Sequence, residues 1–359
     1  MKSCTRFAHI APLLATFAIV SAVHGAEPCQ PIVQPTNDGS YVQDHGLDKS
    51  GSYCLKEDIF VKGHRSWAEG GRIFNVSKII VNISANDVVL DFDGHTAWSD
   101  GRLDAGIETT LATNRASLKN PPRNITVRNG TLRLDHSGIG IRFSGLGGLY
   151  GDKWPGSIAS DWGEPKFGST TTGERLQRAT QEAKEQNKDS TEELLRLLPA
   201  SPAAYPVRNL HIEKMHIRTE GIAVLLQGAG TVIRDSVIEA DAGTAIWIYG
   251  PGAVIENNTI IVHGRADTNT PLLEADAPIR LHHGDGAIIR NNRIVAKDDA
   301  HRRVLSLFDT GDVTVEGNVF EGIGEGDEWA KAFLGSVHII AKSNRFNAAR
   351  NWWQPKSKQ

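Results

Sequence analysis

Seven side chains in this 359-residue chain have the types and the spacing to act together on one ligand: Arg142, Gln227, Trp247, Tyr249, Arg280, His282 and Phe308. Arg280 is the group that could neutralise a carboxylate, because a guanidinium grips one through two parallel N–H donors. His282 or Tyr249 could move a proton, taking it from the carbon next to that carboxylate or giving it to a leaving oxygen. Trp247 and Phe308 offer flat apolar faces on which sugar rings can lie. Gln227 and Arg142 would add polar contacts. Together they point to an acidic polysaccharide, with Arg280, His282 and Tyr249 as catalytic candidates and the other four as substrate contacts. The plainer alternative is that the aromatics pack beneath an insertion at residues 146–206 and that His282 is a surface residue beside a glycine-rich bend.

These residues come together only if their strands stack. In a strand, successive side chains point to opposite faces. Ile141 and Phe143, Val224 and Leu226, Ile246 and Ile248, Ile279 and Leu281, and Leu305 and Leu307 then point inward. The outward positions form two columns. One runs Arg142, Leu225, Trp247, Arg280, Ser306, and the other Ser144, Gln227, Tyr249, His282, Phe308. After each such strand a short phrase returns. It begins at Leu210, Thr231, Ala253, Ala287, Val313 and Ile339, in steps of 21, 22, 34, 26 and 26 residues. A short period that lengthens only by insertion marks a solenoid, in which each unit buries its apolar face on its neighbours. The register is countable, since the step from Leu226 to Thr231 or Ile248 to Ala253 is five residues and from Leu281 to Ala287 or Leu307 to Val313 is six. Asn258, Asn292, Asn318 and Asn344 take the same slot in successive phrases, so their carboxamides can bond to one another up the stack.

Ala253 to Ile260, Ala287 to Ile294 and Val313 to Phe320 resemble rungs of the right-handed parallel β-helix proteins of the pectate-lyase-like superfamily. Asn86 to Thr96, with Tyr53 to Leu55, is similar to the opening of many exported bacterial members. The resemblance covers roughly residues 50 to 346 and implies an all-β solenoid whose corresponding strand face commonly carries a glycan groove. It does not identify an activity, because the superfamily spans lyases, hydrolases, epimerases and adhesins. The paired aspartates with a following Gly-His-Gly of the pectin hydrolases are missing, as are the Asp-Pro-His-Asp of alginate epimerases and a clustered acidic Ca²⁺ site.

The remaining organisation follows from composition. Residues 1–26 carry Lys2 and Arg6, an apolar run from Ile10 to Val20 and small residues at Gly25 and Ala26, the pattern of a secretory signal. No later stretch is apolar enough to span a membrane, so the expected location is periplasmic or extracellular. The formal net charge is −3, and −5 once the signal is gone, which argues against nucleic acid as a partner. Cys29 and Cys54 are expected to pair across an N-terminal cap of residues 27–80, with free thiols or a metal site as alternatives. The β-helix spans 81–346. It is interrupted at 146–206 by a loop and helix insertion that would be a lid or a tolerated surface excursion, and 347–359 would cap the far end. No cofactor is expected. Asp285 lies in one bend with Asp309 and Asp312 in the next, and these could hold Ca²⁺ or act as an acid pair, though Asp and Gly are also ordinary turn residues. Two functions remain open: an enzyme acting on an anionic polysaccharide by elimination or epimerisation, and a non-catalytic binding or surface-interaction protein on the same face.

Overall fold

The structure, a computed structural model, describes residues 29–34, 45–63, 67–69, 72–74, 79–101, 103, 105–109, 123–135, 138–143, 207–264, 277–297, 303–334 and 337–348. The expected signal, the whole insertion at 146–206 and nearly all of the C-terminal tail lie outside the described residues. The described chain is an all-β parallel coil. One stack of strands runs His45–Leu47, Ile79–Ile83, Ala105–Thr109, Ile139–Phe143, Val224–Ala229, Ile246–Tyr249, Ile279–His282, Leu305–Phe308 and Ala330–Leu334, each parallel to the next. A second contains Val232–Arg234, Val254–Glu256, Ala287–Arg290, Asp312–Glu316 and His338–Lys342. The third contains Val237–Ala240, Thr259–Val262, Arg293–Ala296, Val319–Glu321 and Arg345–Asn347.

The phrases stack in the counted register. Ile212, Ile233, Ile255, Ile289 and Val315 form one inward column, and each is essentially inaccessible to solvent. Burying each such side chain contributes roughly 1.5–3 kcal/mol relative to leaving it in water. The bend after this strand needs a left-handed residue, and Asp235 (φ 53), Asn257 (φ 57), Asn291 (φ 55), Gly317 (φ 64) and Ser343 (φ 54) supply it. Asn, Asp and Gly bear that conformation best.

The asparagine ladder forms directly behind this bend. Asn258 Nδ2 donates to Asn292 Oδ1, Asn292 Nδ2 to Asn318 Oδ1, and Asn318 Nδ2 to Asn344 Oδ1, each at 3.0 Å. The other amide hydrogen of each goes to a backbone carbonyl, of Ile233, Ile255, Ile289 and Val315 in turn. Ser236 extends the ladder, donating its N–H to Asn258 Oδ1 and accepting from the Met215 N–H. The bend thereby satisfies the polar groups that it takes out of the sheets.

A second ladder lies on the outer surface of the same strands. Asp91, Arg128, Glu213, Arg234, Glu256, Arg290, Glu316 and Lys342 are successive partners in register and alternate in sign throughout. Arg128 pairs with Asp91 at 2.8 Å and Arg290 with Glu256 at 2.7 Å, and Arg234 pairs with Glu213. For the Asp91 carboxyl, burial alone would raise the pKa, but hydrogen bonds from the Asp93 N–H, Arg128 and Asn129 hold it below the usual range. Each exposed pair contributes little alone. A slip by one rung would put like charges opposite each other along the whole row, so the ladder opposes misregister.

Cys29 and Cys54 form the expected disulfide, with Cα atoms 5.6 Å apart. The strands around it are themselves coiled. Gln30–Ile32 pairs with Gly51–Leu55, which pairs with Val88–Asp91, all parallel. The described strands of the lead-in therefore continue the coil. Among the described residues no helix is long and apolar enough to cross a membrane.

Candidate functional site

The first strand stack brings the sequence candidates onto one wall. Trp247 lies between Leu225 and Arg280 in register, and Arg280 between Trp247 and Ser306. In the neighbouring column Gln227, Tyr249, His282 and Phe308 follow one another. The Arg280 guanidinium lies 4.1 Å from the Trp247 ring centre and 5.4 Å from that of Phe308. The His282 ring is stacked between Tyr249 at 4.4 Å and Phe308 at 4.2 Å. Alternation along each strand sets this arrangement, because the residues between these point inward to the apolar core.

Two residues that the sequence reading did not single out prolong the wall. Phe333 stacks on Phe308 at 4.7 Å, and Lys331 follows Ser306 in the Arg280 column. Lys331 Nζ lies 5.0 Å from the Phe333 ring centre. The strand Ala330–Leu334 carries the register irregularity between Leu307 and Phe308, which obscures its alternation in the sequence.

The wall differs from expectation in one respect. A groove lined with aromatics was expected to face solvent, yet Arg280 is 1% exposed and His282 2%, and Leu225, Trp247, Tyr249, Ser306 and Phe308 are buried as well. The physical reason is the area involved, since so large an aromatic surface is costly to leave in water. Burial has chemical consequences. Loss of water, then the nearby charges of Arg280 and His283, holds the His282 imidazole well below its ordinary pKa, so it is neutral near pH 7. A neutral imidazole can take a proton but cannot bind an anion as a cation. His282 Nε2 and Ser306 Oγ are among several buried polar side-chain atoms that have no hydrogen-bond partner.

Arg142 is in the same column but not in the cluster. It precedes Leu225, which puts it roughly 14 Å, three rung spacings, from Arg280. Its partner is Glu108 on the preceding strand, a buried carboxylate that the sequence reading did not identify. Glu108 carried little signal, because Ala105–Thr109 is an isolated short strand that contains none of the repeated phrase.

The bend carboxylates do not gather. Asp285 accepts from the Gly311 N–H, Asp309 faces His283 Nδ1 at 3.1 Å, and Asp312 faces His338 at 3.1 Å. No group of three or more metal-ligating side chains occurs among the described residues. His263 Nε2 meets Glu239 at 2.7 Å away from the wall.

Residues 203–350 match a family model described as a right handed beta helix region. No curated protein sequence matches the chain. Among solved structures, it is similar to the A-module of mannuronan C-5 epimerase AlgE6 from Azotobacter vinelandii, with 13% identity over 84% of this chain and 74% of that one, and a TM-score of 0.37. It is similar too to the GH136 lacto-N-biosidase of Eubacterium ramulus, with 12% identity over 89% of this chain and 56% of that one, TM-score 0.38. A third is the Streptococcus pneumoniae surface protein and adhesin PfbA, with 13% identity, 85% and 88% coverage and a TM-score of 0.27. None of these likenesses bears on what the wall of this chain does.

Proposed function

We propose that this right-handed parallel β-helix protein is exported and binds an acidic polysaccharide on the wall built from Trp247, Tyr249, Arg280, His282 and Phe308. The observation that carries the reading is a guanidinium laid on the Trp247 ring beside a buried imidazole whose Nε2 has no partner. Arg280 would bind the uronate carboxylate, and Trp247 and Phe308 the sugar faces, with Gln227 and Arg142 as outlying contacts. The disulfide supports an oxidising compartment, periplasmic or extracellular.

The same groups suit lyase- or epimerase-like processing. Binding of the carboxylate to Arg280 acidifies the C5–H and offsets the guanidinium charge that lowers the basicity of His282, and neutral His282 then takes that proton. In elimination the C4–O bond then breaks as the C4=C5 double bond forms, and the Tyr249 hydroxyl protonates the leaving oxygen. In epimerisation His282 keeps the proton it took and a water molecule on the opposite face of the ring supplies the one that returns to C5. A second reading is a non-catalytic interaction protein that binds through the same buried wall. Both require the wall to be uncovered on binding, so association is expected to be slow.

The test is a panel of uronic-acid polymers, with affinity retention and product analysis. Retention that Trp247→Ala weakens supports binding. Unsaturated uronate ends or altered C5 stereochemistry support processing, and their absence with retention leaves the non-catalytic reading. No retention on any acidic polymer refutes the proposal.

A further inference from the structure

Most positions of the wall are filled by side chains whose presence there is explained by packing. Ser306 is not. Its strand, Leu305–Phe308, is buried at every position, and Ser306 itself is fully inaccessible. Its Oγ has no hydrogen-bond partner. A buried hydroxyl in that condition costs stability that an alanine would spare. In the same column Leu225 stands three rungs earlier and Trp247 two, so the column does not demand a polar residue for reasons of fold.

The neighbour supplies the reason. Ser306 is the register partner of Arg280, and both point away from the core. The Arg280 guanidinium lies between the Trp247 ring and the Phe308 ring, and Phe308 is on the Ser306 strand. One face of the guanidinium is thus turned to Trp247 while its position is held over the rung that carries Ser306. We infer that Ser306 is a specificity residue of the proposed site, its hydroxyl donating to the same carboxylate that Arg280 binds. The inference rests on the binding reading above and narrows it: the wall recognises a uronate, and the neutral sugar lacking the carboxylate leaves the Ser306 hydroxyl unpaired. His282 Nε2, which also has no partner, is on the Arg280 strand in the neighbouring column and is left for a ring hydroxyl or the C5 proton.

The experiment compares the full-length wild-type protein with Ser306→Ala and with Ser306→Cys, which fills the slot with a slightly larger group that donates only weakly. Each is titrated with the best polyuronate of the panel and with the same polymer after reduction of its carboxylates to alcohols. Thermal unfolding is measured in parallel. A hydrogen bond to a charged group predicts binding of the polyuronate weaker by on the order of ten-fold or more in both variants. The reduced polymer, already weak, should be unaffected, and Ser306→Ala should melt at the same temperature as wild type or higher. Wild-type binding that both variants reproduce within two-fold, as for a hydroxyl that merely holds a water, overturns the role of Ser306 and leaves the binding site standing. Equal losses for the acidic and the reduced polymer overturn it too. A wild-type protein that binds no polyuronate removes both readings together.

Discussion

Replacing His282 by phenylalanine separates what this residue does for the fold from what it does for a ligand. The slot holds a flat ring between Tyr249 at 4.4 Å and Phe308 at 4.2 Å, both six-membered, so a phenyl ring continues the stack. The substitution removes a buried Nε2 that has no partner. An unsatisfied buried polar atom costs about 1–3 kcal/mol, and slight overpacking returns part of that, so a gain of roughly 1 kcal/mol is expected at pH 7.5. The gain grows in acid. In the folded protein the imidazole stays neutral well below its ordinary pKa, whereas the unfolded chain takes up a proton as the pH falls through about 6.5. The unfolded state then binds more protons than the folded state, so wild-type stability is complete above that pH and declines below it, by up to about 1.4 kcal/mol per pH unit. His45, also held low by burial, contributes the same slope to both proteins and cancels in the difference. Denaturant unfolding of wild type and His282→Phe at pH 7.5, 6.5, 5.5 and 5.0 reads the effect directly. A variant less stable than wild type at every pH, or one with an identical pH dependence, refutes the placement of a neutral, unpartnered imidazole in that stack. If the wall processes a uronate, the same variant retains the polymer but forms no product.

Asn292→Ala removes four side-chain hydrogen bonds in mid-ladder and leaves the Asn258 N–H and the Ile255 carbonyl buried without partners, a loss of about 4 kcal/mol; Asn344→Ala, at the half-buried end, loses less, and equal losses in chemical denaturation would argue against the ladder. Glu256→Arg puts three arginines in a row and should destabilise by about 1 kcal/mol at low salt; adding Arg290→Glu should recover part of this in a double-mutant cycle, and no coupling would count against the charge ladder. Cys29→Ser with Cys54→Ser opens a loop with a sequence separation of 25 and should cost about 3 kcal/mol, with amide exchange accelerated in the first rungs more than near Asn318.

What could be read from the sequence follows from which physical demand wrote each residue. The inward columns repeat because every rung must bury Ile, Leu or Val on the next, so the phrases at Ala253 and Ala287 revealed both the coil and its register. The asparagine slot was legible for the same reason, since a bend buried at each rung needs the same donor and acceptor each time. The charge ladder was equally present in the text, as Glu213, Arg234, Glu256, Arg290, Glu316 and Lys342 occupy the fourth position of the six phrases. It is found by comparing signs across the repeats and is lost when each phrase is read alone. Glu108 was out of reach, because its place beside Arg142 is a matter of sheet pairing across a stretch that lacks the repeat.

The burial of the wall had a signal of a different kind. A strand covered on one face alternates, whereas a strand covered on both faces reads as a near-continuous apolar run. Ala223 to Leu226, Ala245 to Tyr249 and Val304 to Phe308 are such runs, broken only by Ser306 in the last. Period two identifies the outward residues correctly and is silent on what they face, so the aromatics alone could not distinguish a groove from a packed layer. On a face closed on both sides, the apolar members are explained by packing and therefore say little about a ligand. Arg280, His282 and Ser306 are the members that packing does not explain. Whatever this wall binds must be recognisable by those three, and a ligand that leaves both Ser306 and His282 unpaired is the wrong one.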